Sequence, residues 1–415
     1  MTAYAGLDVG TTSSKAVVYD ADGRVLGTGR AATTWETTAD GTEMSAEALC
    51  SSAVDALSAA AEAAGVEVCA VGVTCMGESG VLVDARERPL APVIAWHDDR
   101  DGDEVADLAA TIGVEDFGGV AGKPLRGQFS LTKHRWLLRH APVTREATTR
   151  FDVGGWVVRR LGGDVVIELS LAGRTGWLDV AARDWWDEAL EWSGAERRLM
   201  PPLVAAGTPV GVVGSDAVSP LLRGAVLTLA GHDHQASALG AHATGQGHEL
   251  DSSGTAEALV RTITTVPSRA DVARLALAGI TTDPSIEPGR WSLLGGTEGG
   301  LAQLRALERL GADVADADAA AEAGTEPGAQ WRSVVATAAD EALALHRAMD
   351  DVVGPAVRVV VTGGWRHSAE VMRAKRSRFG PLEVSSVEEA GALGAATLAA
   401  RACGELGADD HLGRP

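Results

Sequence analysis

Apolar residues in this chain gather in short, nearly continuous runs broken by Gly-, Asp- and Ser-rich turns, with Ala-rich amphipathic stretches between them. Runs of about 4–8 apolar residues bounded by turn signals predict buried strands. Three come early, AYAGLDVG, SKAVVYD and RVLGTGRAAT, with an Asp22-Gly23 turn between the second and third. Others are VCAVGVTC (68–75), VLVD, VIAW ending at Trp96, AVLTLAGHD (225–233) followed by a small-residue segment, and VRVVVTGG (357–364). Helices are expected over 45–64, 99–112, 299–311, 331–353, 368–380 and 387–403. The middle, 113–211, offers only Trp-bearing helical pieces at 133–140 and 184–192, and 312–328 reads as a solvated helix or loop. A capping box, Ser386 with Glu389, should open the last helix. Gly391 and Gly394 lie inside that helix, each costing about 1 kcal/mol relative to Ala. Something must therefore approach that face closely, a neighbouring backbone or a nucleotide.

One short pattern occurs twice, as LDVGTTSSK (7–15) and LDSSGTAEA (250–258). In each, an apolar strand runs into Asp, a small-residue turn with Gly-Thr comes next, and a second strand leaves. Gly lets consecutive N–H groups approach phosphate oxygens, and Thr hydroxyls add donors. Two copies so far apart imply a duplication and two similar α/β domains facing each other across a cleft, which we divide as 1–244 and 245–415. A chain of 415 residues suits two such cores.

The net charge of −21 argues against nucleic acid and anionic membranes as partners. An anionic nucleotide must then be held by local donors and a cation. The four Cys form no disulfide-like framework, the start of the chain shows no leader pattern, and no apolar run nears the roughly 18 residues of a membrane span. These features lead us to expect a soluble cytoplasmic protein.

Three Asp residues fall at predicted strand ends, where open α/β sheets bind ligands: Asp8, Asp98 and Asp233. Asp8 precedes Gly10-Thr11-Thr12, so its carboxylate stands beside a phosphate cradle where Mg²⁺ would neutralise charge; an Asx-turn is the structural alternative. Asp233 is placed to accept a proton from a substrate hydroxyl, the minimal base for phosphoryl transfer to an alcohol. A rival grouping takes His97, Asp98, His232, Asp233 and His234 as a metal-hydrolase cluster, but it matches no common metal-motif spacing and leaves both phosphate loops without a role. GGVAGKP (118–124) lacks the spacing and hydroxyl of a Walker A loop, and no G-x-G-x-x-G follows a strand.

These residues resemble the FGGY carbohydrate kinases, within the actin, sugar-kinase and chaperone-ATPase superfamily of duplicated ribonuclease-H-like domains. The family's D-x-G-T-T-S-x-K motif is matched by Asp8, Gly10, Thr11, Thr12, Ser13 and Lys15, and its W-x-D-x-R motif by Trp96, Asp98 and Arg100. The resemblance puts the catalytic Asp at Asp233, the second phosphate motif at Ser253, Gly254 and Thr255, and the adenosine motif at VTGGWRHS, with Gly363, Gly364 and Ser368. EAGALGAA (389–396) resembles the family's closing helix, which favours nucleotide-side packing for Gly391 and Gly394. The implied activity is ATP-dependent, Mg²⁺-assisted phosphorylation of a hydroxyl on a small sugar, ketose or polyol, with Asp8 at the metal. Gly77, Glu78, His232 and His234 join Trp96, Asp98 and Arg100 as substrate-side candidates. Where glycerol kinases carry Arg this chain has Gly77, which disfavours glycerol. Lys133 and Trp136 keep a family element, whereas His134 stands at a usually apolar position. Between 311 and 357 the family's G-x-R-x-P stretch is missing, so the second domain looks abridged. A homodimer would fit this reading. A non-catalytic nucleotide or sugar sensor on the same fold is the alternative; a chaperone-type ATPase would need a peptide-binding β domain that this chain lacks.

Overall fold

Two six-stranded sheets organise the computed structural model, which describes residues 2–413. The first contains β1 (Ala3–Val9), β2 (Ser13–Asp20), β3 (Val25–Ala32), β4 (Ala70–Cys75), β5 (Pro209–Val212) and β6 (Val226–His232), in the order β5-β6-β4-β1-β2-β3. The second contains β7 (His248–Ser253), β8 (Glu257–Ile263), β9 (Ile280–Pro284), β10 (Trp291–Thr297), β11 (Arg358–Thr362) and β12 (Glu383–Val384), in the order β9-β10-β8-β7-β11-β12. An antiparallel hairpin lies at the heart of each sheet, β1–β2 and β7–β8. Each hairpin has a parallel neighbour on one side, β4 or β11, and an antiparallel neighbour on the other, β3 or β10. The repeated loop is thus the turn of a repeated sheet.

The central strands are apolar because both faces are covered: Ala3, Ala5, Leu7 and Val9 of β1 are fully buried. Five helices matter for the site: α1 (Ala46–Ala64), α2 (Asp233–Gly240), α3 (Glu326–Val353), α4 (Ala369–Phe379) and α5 (Ala390–Ala402). Ser45 caps α1 by accepting from the Ala48 amide at 3.0 Å, and Gly65 ends it in a left-handed turn. The stretch 312–328 contains a helix, Val314–Glu322, with Ala317 and Ala321 buried. No helix among the described residues is long and apolar enough to cross a membrane.

Several expectations give way. The small-residue segment after AVLTLAGHD, given no element by its sequence, is α2, a short helix in which Ala236, Ala238 and Leu239 are buried. Its eight residues are too few for periodicity to register. VIAW contributes only Val93–Ile94 as strand, and the helix expected from 99 begins at Gly102. The capping box does not form: α5 starts after Glu389, which makes no capping bond and instead pairs with Lys15 at 3.0 Å.

All strands of the first sheet precede residue 244 and all strands of the second follow it. Yet α5, the last helix, packs on the first sheet and on α2. A methyl group at Gly394 would overlap the carbonyl of Ala236 in α2, and one at Gly6 of β1 would overlap the carbonyl of Ala392. Backbone contact, rather than a nucleotide, therefore accounts for Gly394.

Candidate active site

Parallel register aligns Asp8, Thr74 and Gly231 across β1, β4 and β6, and the Thr74 hydroxyl donates to the Gly231 carbonyl at 2.6 Å. The segments leaving these three strands therefore collect at one edge of the sheet: Gly10 to Thr12, Met76 to Glu78, and Asp233. Burial, then the neighbouring Asp233 charge, pushes the Asp8 carboxyl up to about 7. Burial also raises Asp233 to about 7, against a hydrogen bond that its Oδ1 accepts from the His234 amide at 2.7 Å. Asp233 retains 25% of its side-chain exposure, so it is open to a reactant. His232 Nε2 stands 3.3 Å from Asp233 Oδ1. Burial, then Arg174, holds His232 well below its ordinary pKa and His234 near about 4, so both rings are neutral at physiological pH. Among the described residues Asp8 Oδ1 is buried without a hydrogen-bond partner. An unpartnered carboxylate oxygen beside a second carboxylate suits Mg²⁺, which takes one or two carboxylates and fills its remaining positions with water and phosphate oxygens. The five residues of the rival cluster do not form a metal site: among the described residues no three His, Cys, Asp or Glu are so arranged.

The first loop is held rigidly. Trp35 Nε1 donates to the Thr11 carbonyl at 2.8 Å, Trp96 Nε1 to the Thr11 hydroxyl at 2.9 Å, and the Thr33 hydroxyl to the Gly10 carbonyl at 3.0 Å. Thr12 is exposed at the tip, while Ser13 Oγ is buried with no partner among the described residues. The second loop, Ser253 to Thr255, is pinned by Trp365, whose Nε1 donates to the Gly254 carbonyl at 3.0 Å. Gly363 adopts φ +86° and packs so tightly on Ser253 that a methyl group would overlap it, whereas a Cβ on Gly364 would meet nothing within 4 Å. The adenosine motif and the second loop thus meet, leaving open space over Gly364. Ser368 behaves differently from its neighbours. It is buried, accepts from the Val371 amide to cap α4, and donates to Asp318 at 2.9 Å, so its hydroxyl is committed within the protein.

On the side expected to hold substrate, Glu78 is buried with φ +67°, a strained conformation for a non-glycine residue that often marks function. Its Oε1 accepts from Gln128 Nε2 at 2.9 Å and from Arg174 Nε at 2.8 Å. A Cβ on Gly77 would lie 2.9 Å from Arg174 Cγ and 3.1 Å from His232 Cδ2, so those side chains take up the space that a larger residue would fill. Asp98 and Arg100 are bound to each other. Arg100 Nε donates to Asp98 Oδ1 at 2.8 Å and Nη1 to Glu43 at 2.8 Å, while Asp98 Oδ2 accepts from the Thr42 amide. Burial opposes ionisation of Asp98, but these bonds outweigh it and hold the carboxyl below its usual range. With 3% and 5% side-chain exposure, Asp98 and Arg100 clamp the 42–44 strand. Lys133 likewise donates to the carbonyls of Asp98 and Gly127, and His134 is buried edge-on against Trp177. Arg174 and Gln128 escaped the sequence reading because neither stands in a phosphate or strand-end motif; only folding brings them to Glu78.

The chain has known relatives. Residues 3–240 match the model of the N-terminal domain of the FGGY family of carbohydrate kinases. The chain belongs to that family. Among FGGY relatives, L-fuculokinase of Salmonella typhi is 29% identical over 261 residues, covering 61% of this chain and 55% of that protein. Glycerol kinase of Renibacterium salmoninarum is 29% identical over 264 residues, covering 60% and 52%. The chain thus spans about half the length of the curated relatives it matches. The fold is that of solved FGGY structures: a xylulose kinase from Rhodospirillum rubrum superposes with TM-score 0.86 at 23% identity, covering 98% of this chain and 91% of that one. Plasmodium falciparum glycerol kinase with ADP gives 0.87 at 17% identity, covering 97% and 90%.

Proposed function

We propose that this protein transfers the γ-phosphoryl group of ATP to a hydroxyl of a small sugar, ketose or polyol. The observation that carries this reading is the pair Asp8 and Asp233, two raised carboxylates at the ends of β1 and β6, with Asp8 beside a rigid Gly-Thr-Thr loop. Asp233, neutral below about pH 7 and ionised above it, takes the proton of the attacking hydroxyl. Mg²⁺ held at Asp8 would neutralise charge on the β/γ-phosphates. Thr11 and Thr12 hold the phosphates from one domain and Gly254 and Thr255 from the other, so the site is complete when the two units, divided near 244, close. Closure also excludes water, the competing acceptor. Trp96, tied to Thr11, gives the sugar's C–H face an apolar wall. Glycerol is disfavoured, because Gly77 carries no cation to hold it and the neighbouring Arg174 is engaged by Glu78 and Asp283.

Asp233→Asn tests the assignment. ATP should still bind, while sugar-dependent ADP release falls by roughly 10²-fold or more. Turnover at the wild-type rate would refute it.

A further inference from the structure

Lys123, from the GGVAGKP segment, and Arg174 are buried where the first domain meets β9, the edge strand of the second sheet. Arg174 grips two partners at once. Its Nε donates to Glu78 Oε1 at 2.8 Å, while its Nη1 donates to Thr281 Oγ1 at 2.8 Å and lies 3.2 Å from Asp283 Oδ2. Asp283 Oδ1 accepts from Lys123 Nζ at 2.7 Å, and the same Nζ donates to the Thr282 carbonyl at 2.9 Å. The Thr282 amide in turn donates to the Gly122 carbonyl at 2.8 Å.

All four charged side chains are at most 3% exposed. Two carboxylates and two cations make the cluster neutral, yet burying four charges costs about what pairing returns. Such a cluster sets geometry more than it adds stability. Two glycines make room for it: a Cβ at Gly173 would lie 2.5 Å from Asp283 Oδ1, and one at Gly77 would press on Arg174. The sugar-side end has one free valence. Glu78 Oε1 is taken by Arg174 and Gln128, whereas Oε2 makes no hydrogen bond among the described residues.

We infer that Arg174 is a positioning residue that couples the acceptor subsite to the second domain: docking of β9 through Asp283 and Thr281 aims the free oxygen of Glu78. This rests on the kinase reading for the part played by Glu78. The physical step is simple. A guanidinium is planar and rigid, so fixing its Nη1 edge on β9 fixes the Nε edge, and with it the rotation of the carboxylate.

Asp283→Asn keeps the shape but weakens the anchor, and Arg174→Lys keeps the charge but cannot span both partners. Each should raise the acceptor KM by ~10-fold, the loss of one charge-assisted hydrogen bond, with the ATP KM unchanged. Hydrogen exchange should quicken in loop 76–80 of Asp283→Asn while strand 358–362 keeps its protection. A lower melting temperature with unchanged acceptor KM would make the cluster merely structural and overturn the inference. If the wild-type protein phosphorylates no sugar or polyol, the kinase reading fails, and exchange alone decides the coupling: unchanged protection of 76–80 overturns it. Should Asp283→Asn not fold, Thr281→Val, which removes the hydroxyl between Arg174 and Asp283, should shift acceptor KM and exchange in the same direction by less; no shift would refute the coupling.

Discussion

Asp8 and Asp233 sit in surroundings that oppose their charged forms. Burial raises both above the range of a free carboxyl near 4, so each ionises in the folded protein only at a cost. Proton counting gives the sign: between the unfolded and folded values the native state binds more protons than the unfolded chain, so stability falls as pH rises from about 4 to about 7. Without nucleotide or metal, Asp233→Asn should be more stable than wild type at about pH 8, by on the order of 1 kcal/mol, and no more stable at about pH 4. Thermal unfolding at the two pH values checks this; a variant less stable than wild type at the higher pH would refute it. The same group predicts the rate profile. Sugar-dependent turnover should climb as Asp233 loses its proton, with an apparent midpoint of about 7, a bound metal cation favouring the ionised form and the phosphate charge opposing it. A rate that falls over that range would point to a different base.

At the scale of elements, the close approach of α5 to α2 is a tight constraint. Gly394→Ala puts a methyl group into the Ala236 carbonyl, and overpacking of this kind costs about 1–3 kcal/mol. Gly102→Ala, at a position with nothing within 4 Å of its Cβ, should leave the melting temperature nearly unchanged. Equal losses in the two variants would argue against a backbone contact at Gly394. These elements also show where sequence reading succeeds. Strands buried on both faces announce themselves as apolar runs, and the two phosphate loops stand out because turn chemistry is local. Reading fails where the cause is distant. The pattern could not tell Gly394 packed on a helix from Gly394 beside a ligand, nor show that Asp98 and Arg100 would satisfy each other, nor reveal Arg174, whose partners lie 96 and 109 residues away. Glu389 illustrates the competition: three residues after Ser386 it suits a capping box, but it pairs with Lys15 of β2 instead.

For the whole molecule, the return of α5 to the first sheet means that the two sheets are not independent folding units, even though their strands separate cleanly at 244. The first sheet offers Tyr4, Val17, Tyr19 and Ala70, and residues from the far end of the chain cover them: Ala392, Leu393, Ala396, Ala399, Ala400 and Leu412. Uncovering even three or four such side chains, at roughly 1.5–3 kcal/mol for each large one, would consume much of the about 5–15 kcal/mol that holds a domain folded. A fragment of residues 1–244 should therefore self-associate and bind an apolar dye, whereas the same fragment joined by a flexible linker to residues 385–413 should be monomeric and unfold cooperatively. Sedimentation and thermal unfolding of the pair decide the matter, and a fragment as monomeric and stable as the fusion would refute the dependence. The arrangement also bears on closure. A Cβ at Gly391 would lie 2.8 Å from Asp8 Oδ2, and Glu389, at the mouth of α5, holds Lys15 of the first phosphate loop motif. Residues 385–389 lead from β12 of the second sheet directly into that helix, so this crossing, beside the one between α2 and β7, ties the second sheet to the surroundings of the carboxylate and the lysine.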